Sequence, residues 1–314
     1  MSIDSFDYTT TLGSARFTNP IFTASGCASS GKELSQFFDL RELGAIVTKS
    51  IMLSPRSGRP VPRMAETPSG MLNSIGLQGP GIEYFLENDL SWLIEKGATV
   101  VVSIAGNTVD EYGELAARLR GVGGIRALEV NISCPNVENR GQVFACHPDT
   151  AHAAIANVRR NIGGDVPIVA KLSPDVTEIT SIAESVVNAG ADGFALINTV
   201  LGMVIDTKAM RPLLAGKTGG LSGPAIRPIA VRAIYQVHAR FPQKPILGMG
   251  GVASGEDALE LIMAGASAVS IGTANFHDPL STVRIKAELR EELMARGFDS
   301  LRAAIGIAHK ENVL

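Results

Sequence analysis

Pro167-Ile-Val-Ala-Lys-Leu172 is a short apolar run that carries a lysine near its end, and Gly193-Phe-Ala-Leu-Ile-Asn198 is a second one. Between them, residues 179–189 space their apolar side chains as an amphipathic helix does. Neither run alternates apolar with polar, as expected of strands covered on both faces in a parallel sheet. A helix joining two such strands is the crossover that parallel pairing needs. Working outward, the unit recurs. Apolar runs fall at 21–24, 45–49, 99–104, 127–132, 167–172, 193–198, 245–249 and 268–271. Helical segments fall at 80–96, 110–119, 148–161, 179–189, 224–240 and 256–263. Eight strand–helix units predict an α/β chain closed into a (β/α)8 TIM barrel, with a doubly wound open sheet as the alternative.

Three stretches exceed a minimal barrel: 6–19, which reads as a hairpin around Leu12-Gly13-Ser14, and the inserts 55–79 and 202–219. The inserts are expected over the C-terminal face of the barrel. With no repeat, low-complexity tract or linker, a single domain over 1–314 is expected.

Composition narrows the function. Lys and Arg number 28 against 31 Asp and Glu, a net charge of −3, which argues against a nucleic-acid partner. The longest apolar stretches fall far short of the ~20 residues of a membrane span. The acidic N-terminus is not a secretory signal, so a cytoplasmic protein is expected. Cys27, Cys134 and Cys146 form no Cys-x-x-Cys pair, so neither a bound metal nor an iron–sulfur cluster is expected on this chain. Glycine is over-represented, 33 of 314 residues against ~7% in typical chains, which points to tight turns and to backbone in close approach to a ligand.

Barrel chemistry sits at the C-terminal ends of the strands. Here those ends give Ser25-Gly26, Lys49-Ser50, Ser103, Asn131 with Cys134 just beyond, Lys171, Asn198-Thr199, Gly250-Gly251 and Gly272-Thr273. Glycines ending the last two strands, with Gly219-Gly-Leu-Ser-Gly223 opening another helix, suit a phosphate held by backbone N–H groups. Lysines at the ends of apolar strands need an anionic or strongly accepting partner. A flavin ring edge is one; a Schiff-base carbonyl is the rival. In Asn131-Ile-Ser-Cys-Pro-Asn-Val137 the chain leaves the strand at a proline, placing Cys134 on a loop between Asn131 and Asn136. Their amides donate and accept, as an imide or carboxylate ligand requires.

With these segments in view, the chain resembles the class 1 dihydroorotate dehydrogenases. The resemblance runs from Asn19-Pro20 to about Asn275. It is carried by Ala24-Ser-Gly-Cys27, Thr48-Lys-Ser50, Pro55-Arg56, Asn73-Ser74-Ile75-Gly76-Leu77, Asn131-Ile-Ser-Cys-Pro-Asn-Val137, Lys171-Leu-Ser-Pro174, Gly250-Gly-Val252 and Gly272-Thr273. Ile197-Asn-Thr-Val-Leu-Gly-Met203 and Thr218-Gly-Gly-Leu-Ser-Gly-Pro-Ala225 are most similar to the NAD-linked 1B catalytic subunits.

The resemblance implies FMN in the barrel mouth and oxidation of (S)-dihydroorotate to orotate in de novo pyrimidine synthesis. It implies Cys134 as the base at C5, with Lys49 and Asn131 beside the reacting atoms and hydride passing from C6 to the flavin. Lys49, Asn73, Ser74, Ile75, Gly76, Leu77, Asn131, Asn136, Asn198 and Thr199 would hold the substrate. Ala24, Ser25, Lys49, Ser50, Ser103, Asn131, Lys171, Ile197, Gly223, Gly250, Gly251, Gly272 and Thr273 would hold FMN, with Lys171 stabilising the charge of the reduced ring. Ser103 departs from the asparagine common in the family. The 1B likeness further implies a homodimer and a heterotetramer with a second subunit that carries FAD and a 2Fe–2S cluster and reduces NAD. By the same resemblance, the three extra stretches would form lids and walls around the flavin. The competing readings are a fumarate-linked 1A enzyme, a flavin reductase of dihydropyrimidines or of tRNA dihydrouridine, and a flavin-binding assembly module without catalysis. Net charge speaks against the tRNA enzyme, and the amide ring around Cys134 against the assembly module.

Overall fold

The computed structural model describes residues 6–132 and 144–310. Eight strands form one parallel sheet: β1 Ile21–Thr23, β2 Ile46–Val47, β3 Val100–Ile104, β4 Ile125–Asn131, β5 Ile168–Lys171, β6 Gly193–Leu196, β7 Ile246–Met249 and β8 Ala268–Ile271. Each pairs with its neighbour in chain order from β2 to β8, and β8 pairs with β1. A parallel bridge between Phe22 and Ala45 brings β1 against β2 and completes the ring. The eight expected apolar runs are these strands, and the barrel is the fold that the strand–helix count predicts.

The helices lie outside, each burying one stripe. In Val109–Leu119 that stripe is Tyr112, Leu115, Ala116 and Leu119, at the spacing of one helix face. Thr108 caps its start by accepting from Glu111 N–H. Gly255–Ala264 opens on a reciprocal Ser254–Asp257 capping box and ends at Gly265. The helical stretch expected at 80–96 is Ile82–Glu95, with a wider π-type turn over Phe85–Leu90. Among the described residues no helix is long and apolar enough to cross a membrane.

The inserts build the rim of the mouth. Met64–Thr67 and Gly70–Asn73 form a hairpin, Gly219–Ser222 pairs with Gly70–Asn73, and Val200–Gly202 pairs with Gly219–Ser222. The result is a four-stranded antiparallel sheet made from the first insert and the two strands that flank the second. Ile205–Asp206 and Arg211–Pro212 add a small ladder beside it.

The N-terminal hairpin, Thr10–Leu12 with Ala15–Phe17, does not line the mouth as the reading of 6–19 expects. Its Leu12 and Phe17 are buried in the inner cluster of the barrel with Phe22, Val101, Val169 and Leu247. Gly13 turns against Pro167 and Asp192, which precede β5 and β6. The hairpin therefore plugs the opposite end, where apolar strand starts would otherwise face water. Leu12→Ala is expected to cost about 2–5 kcal/mol, as for other fully buried leucines. Denaturant unfolding checks this.

Candidate active site

Side chains alternate along a strand, so every second residue enters the barrel. In the lower layer these are apolar: Val101, Ala127, Val169 and Ala195. One step up the same strands the layer becomes polar. Ser103 pairs across from Glu129, and Asn131 from Lys171. Glu129 is completely buried and Lys171 nearly so, with Nζ 3.6 Å from Glu129 Oε1. Lys171 Nζ also donates to Ser25 Oγ at 3.0 Å. Ser103 Oγ donates to the same Glu129 oxygen at 2.8 Å and lies 2.9 Å from Ser50 Oγ. Asn131 Nδ2 donates to Ser50 Oγ at 3.0 Å, and Asn198 Nδ2 to Asn131 Oδ1 at 3.3 Å. Asn198 Oδ1 accepts from Thr199 N–H at 2.8 Å. Tyr112, from the outer helix, donates its hydroxyl to the Asn131 carbonyl.

Two cavities meet above this layer. The first, about 380 Å³, is lined by Ala24, Ser25, Lys171, Ile197, Asn198, Thr199, Gly223, Gly250, Gly251, Gly272 and Thr273. The second, about 290 Å³, is lined by Lys49, Ser50, Asn73, Ile75, Gly76, Leu77 and Asn131, and again by Ser25, Lys171, Asn198 and Thr199. Both are of the size of small-molecule sites. Two residues expected in the site line neither cavity. Ser103 lies wholly buried beneath the floor and reaches it through Ser50. Ser74 is turned inward, its Oγ accepting from Arg59. Cys134 and Asn136 lie outside the described residues.

The lining suits a phosphorylated cofactor with a hydrogen-bonding ring. Gly250 and Gly251 have φ of +129° and +76°, a region that only glycine enters freely. A Cβ on Gly251 would stand 2.9 Å from both Arg227 N and Gly223 O, so the turn closes only around glycine. Lys171 has three protons, and among the described residues Ser25 and Glu129 engage two. Ser270 Oγ, at the floor of the first cavity, is buried with no partner among the described residues. Both leave polar capacity for a ligand, and the residues present therefore fit a flavin mononucleotide.

Among the lining and supporting residues that the sequence reading did not single out as site residues are Glu129, Ser270, Ser222 and Cys27. Glu129 could have been found as the one charge inside the apolar run Ala127-Leu-Glu-Val-Asn131, in register with the inward positions. Ser270 holds the equivalent position in β8. Ser222 hydrogen-bonds Thr273 at 2.8 Å between the rim sheet and β8. Cys27, read as a loop-shaping residue, lines both cavities. Burial pushes its thiol above the usual range, against the opposing pull of the Lys171 and Lys49 cations. A raised thiol gives little thiolate at neutral pH. Cys27 is therefore expected to alkylate more slowly at pH ~8 than the same residue in the unfolded chain, as peptide mapping of iodoacetamide adducts would show.

A family model described as dihydroorotate dehydrogenase matches residues 8–293, which takes in every strand of the barrel and both cavities. The chain belongs to the dihydroorotate dehydrogenase family. A curated relative from Desulforamulus reducens is 49% identical over 95% of this chain and 97% of its own length. One from Anoxybacillus flavithermus is 49% identical over 92% and 91%, and one from Geobacter sp. strain M21 is 44% identical over 96% and 97%. Each of the three is named dihydroorotate dehydrogenase B (NAD(+)), catalytic subunit. The family match and the resemblance read from the strand ends agree.

Proposed function

We propose that this chain is the catalytic subunit of an NAD-linked dihydroorotate dehydrogenase of pyrimidine synthesis, a single FMN-binding domain that oxidises (S)-dihydroorotate to orotate. The observation that carries the reading is the meeting of a glycine-rimmed cavity and an amide-lined one at Lys171, Asn198 and Thr199. Such a pair of cavities seats a phosphorylated cofactor beside a small polar substrate. Gly223, Gly250, Gly251, Gly272 and Thr273 would hold the phosphate, and Lys171 with Ser25 would meet the ring. FMN, the cofactor of this family, supplies the hydride acceptor.

The substrate half of the reaction falls to the protein. Asn73, Asn131, Asn198 and Thr199, with Asn136, bind the imide and carboxylate edges, and Lys49 faces the same cavity from β2's end. Cys134 takes the C5 proton. Loss of that proton and of the C6 hydride together leaves the C5–C6 double bond of orotate. A base at this place acts only as thiolate, so the rate rises with pH toward the ordinary thiol range of about 8.5.

A partner subunit carrying FAD and a 2Fe–2S cluster would take the electrons on to NAD, in a cytoplasmic heterotetramer built on a homodimer of this chain. The words "catalytic subunit" in the relatives' names support a partner. Exposed Leu201, Met203, Ile205 and Met210, on the insert beside the mouth, give such a partner apolar surface to cover. The test is purification followed by cofactor analysis and orotate titration. One FMN per chain, with a flavin spectrum perturbed by orotate, is expected. A colourless folded protein would count against the assignment.

A further inference from the structure

Glu129 has no place in the reaction as derived, yet it is a completely buried carboxylate inside the barrel. We propose that Glu129 is a positioning residue that acts through Lys171 to lower the reduction potential of the bound flavin. The inference rests on the proposed function and deepens its redox half.

Lys171 lines both cavities, whereas Glu129 stands one inward step below Asn131 on the neighbouring strand and lines neither. Its Oε1 lies 3.6 Å from Lys171 Nζ, and both side chains are essentially out of water. Charges so placed are screened far less than charges at a surface. Among the described residues the carboxylate accepts one hydrogen bond, from the Ser103 hydroxyl, and Oε2 has no partner. Few donors therefore disperse the negative charge, and Lys171 is the cation that meets it.

Two electrons and one proton turn an oxidised flavin ring into its anionic reduced form. Above a lone ammonium the added negative charge would be strongly favoured. Above an ammonium already matched by a carboxylate it is favoured less, because a like charge opposes the new one. Lys171 thus draws electrons onto the ring, and Glu129 moderates that pull. Such moderation suits a chain whose electrons go on to a nicotinamide, an acceptor of low potential, since a flavin held too firmly reduced would not release them. The alternative role for Glu129 is only to seat Lys171. The two roles differ in sign: losing a mere seat weakens the lysine and lowers the potential, whereas losing the opposing charge raises it.

Redox titration of the FMN-loaded protein against a reference dye, at pH ~7 where lysine is ordinarily charged, reads the midpoint potential. Glu129→Gln removes the charge, keeps the shape and leaves an amide oxygen to face Lys171. Its reduction equilibrium constant is expected to rise about tenfold, the scale of one unit charge ~10 Å away at an effective dielectric constant of ~20. For two electrons that is a rise of ~30 mV. Ser103→Ala strips away the one hydroxyl that offsets the carboxylate, and its potential is expected to fall, by about twofold in the constant or ~10 mV. It carries the test if the glutamine variant does not fold. An unchanged or lowered potential in Glu129→Gln would overturn the inference, as would an unchanged or raised one in Ser103→Ala where that variant carries the test. An unaltered protein that folds but binds no FMN would instead overturn the functional reading beneath it.

Discussion

Cys134→Ala is expected to leave FMN bound and to slow flavin reduction by dihydroorotate about 10²–10⁴-fold, the usual worth of a positioned general base. The C5 proton of the substrate is weakly acidic, and among the residues quoted for the substrate site the other polar side chains are amides, hydroxyls and the ammonium of Lys49. None of these offers a neutral-pH base as good as a thiolate. The pH dependence sharpens the test. In the unaltered protein the reduction rate rises with pH until the thiol is ionised and then levels. In Cys134→Ala that rise is lost. Rapid mixing without oxygen, followed across a pH series, reads both effects. A variant that keeps the wild-type rate and pH rise would move the base elsewhere.

Lys171→Met is expected to strike stability and chemistry together. It strands Glu129, with essentially no solvent, inside the barrel. Removing one member of a buried ion pair costs about 3–5 kcal/mol, because the remaining charge is uncompensated. The same change removes the cation at the meeting point of the two cavities, where the proposed function would have charge develop on a reduced ring. A loss of about 10²–10³ in rate is the scale for one such electrostatic group. The double variant Lys171→Met with Glu129→Gln separates the two effects. It should recover much of the stability, because no buried charge remains, and little of the rate. Urea unfolding of the four proteins in the cycle gives the coupling directly. Additive losses would show that the pair does not act as a unit.

Much of this molecule was legible in the sequence because parallel strands buried on both faces are written as continuous apolar runs. Ile168–Lys171 and Gly193–Leu196 are such runs, and their ends named the residues that line the cavities. Less was legible where a side chain's role depends on what lies across the barrel. Glu129 reads as one polar residue in a strand, and its meaning comes from Lys171 and Ser103 on the strands either side. The N-terminal hairpin was recognisable from its turn, but its address was not. Leu12 and Phe17 mark it as having a buried face, and only the closed barrel shows that the free apolar surface is at the end away from the cavities. The rim sheet was hidden for a related reason. Its strands come from segments far apart in the chain, and Gly219–Ser222 is glycine-rich, with no strand signal of its own.

The pairing of a cofactor cavity with a substrate cavity is tested most directly by mixing the purified yellow protein with (S)-dihydroorotate in the absence of oxygen. The expected result is loss of flavin colour with orotate formed in equal amount to the FMN reduced, on this chain alone. Flavin that stays oxidised with dihydroorotate, or that bleaches with dihydrouracil instead, would contradict the account.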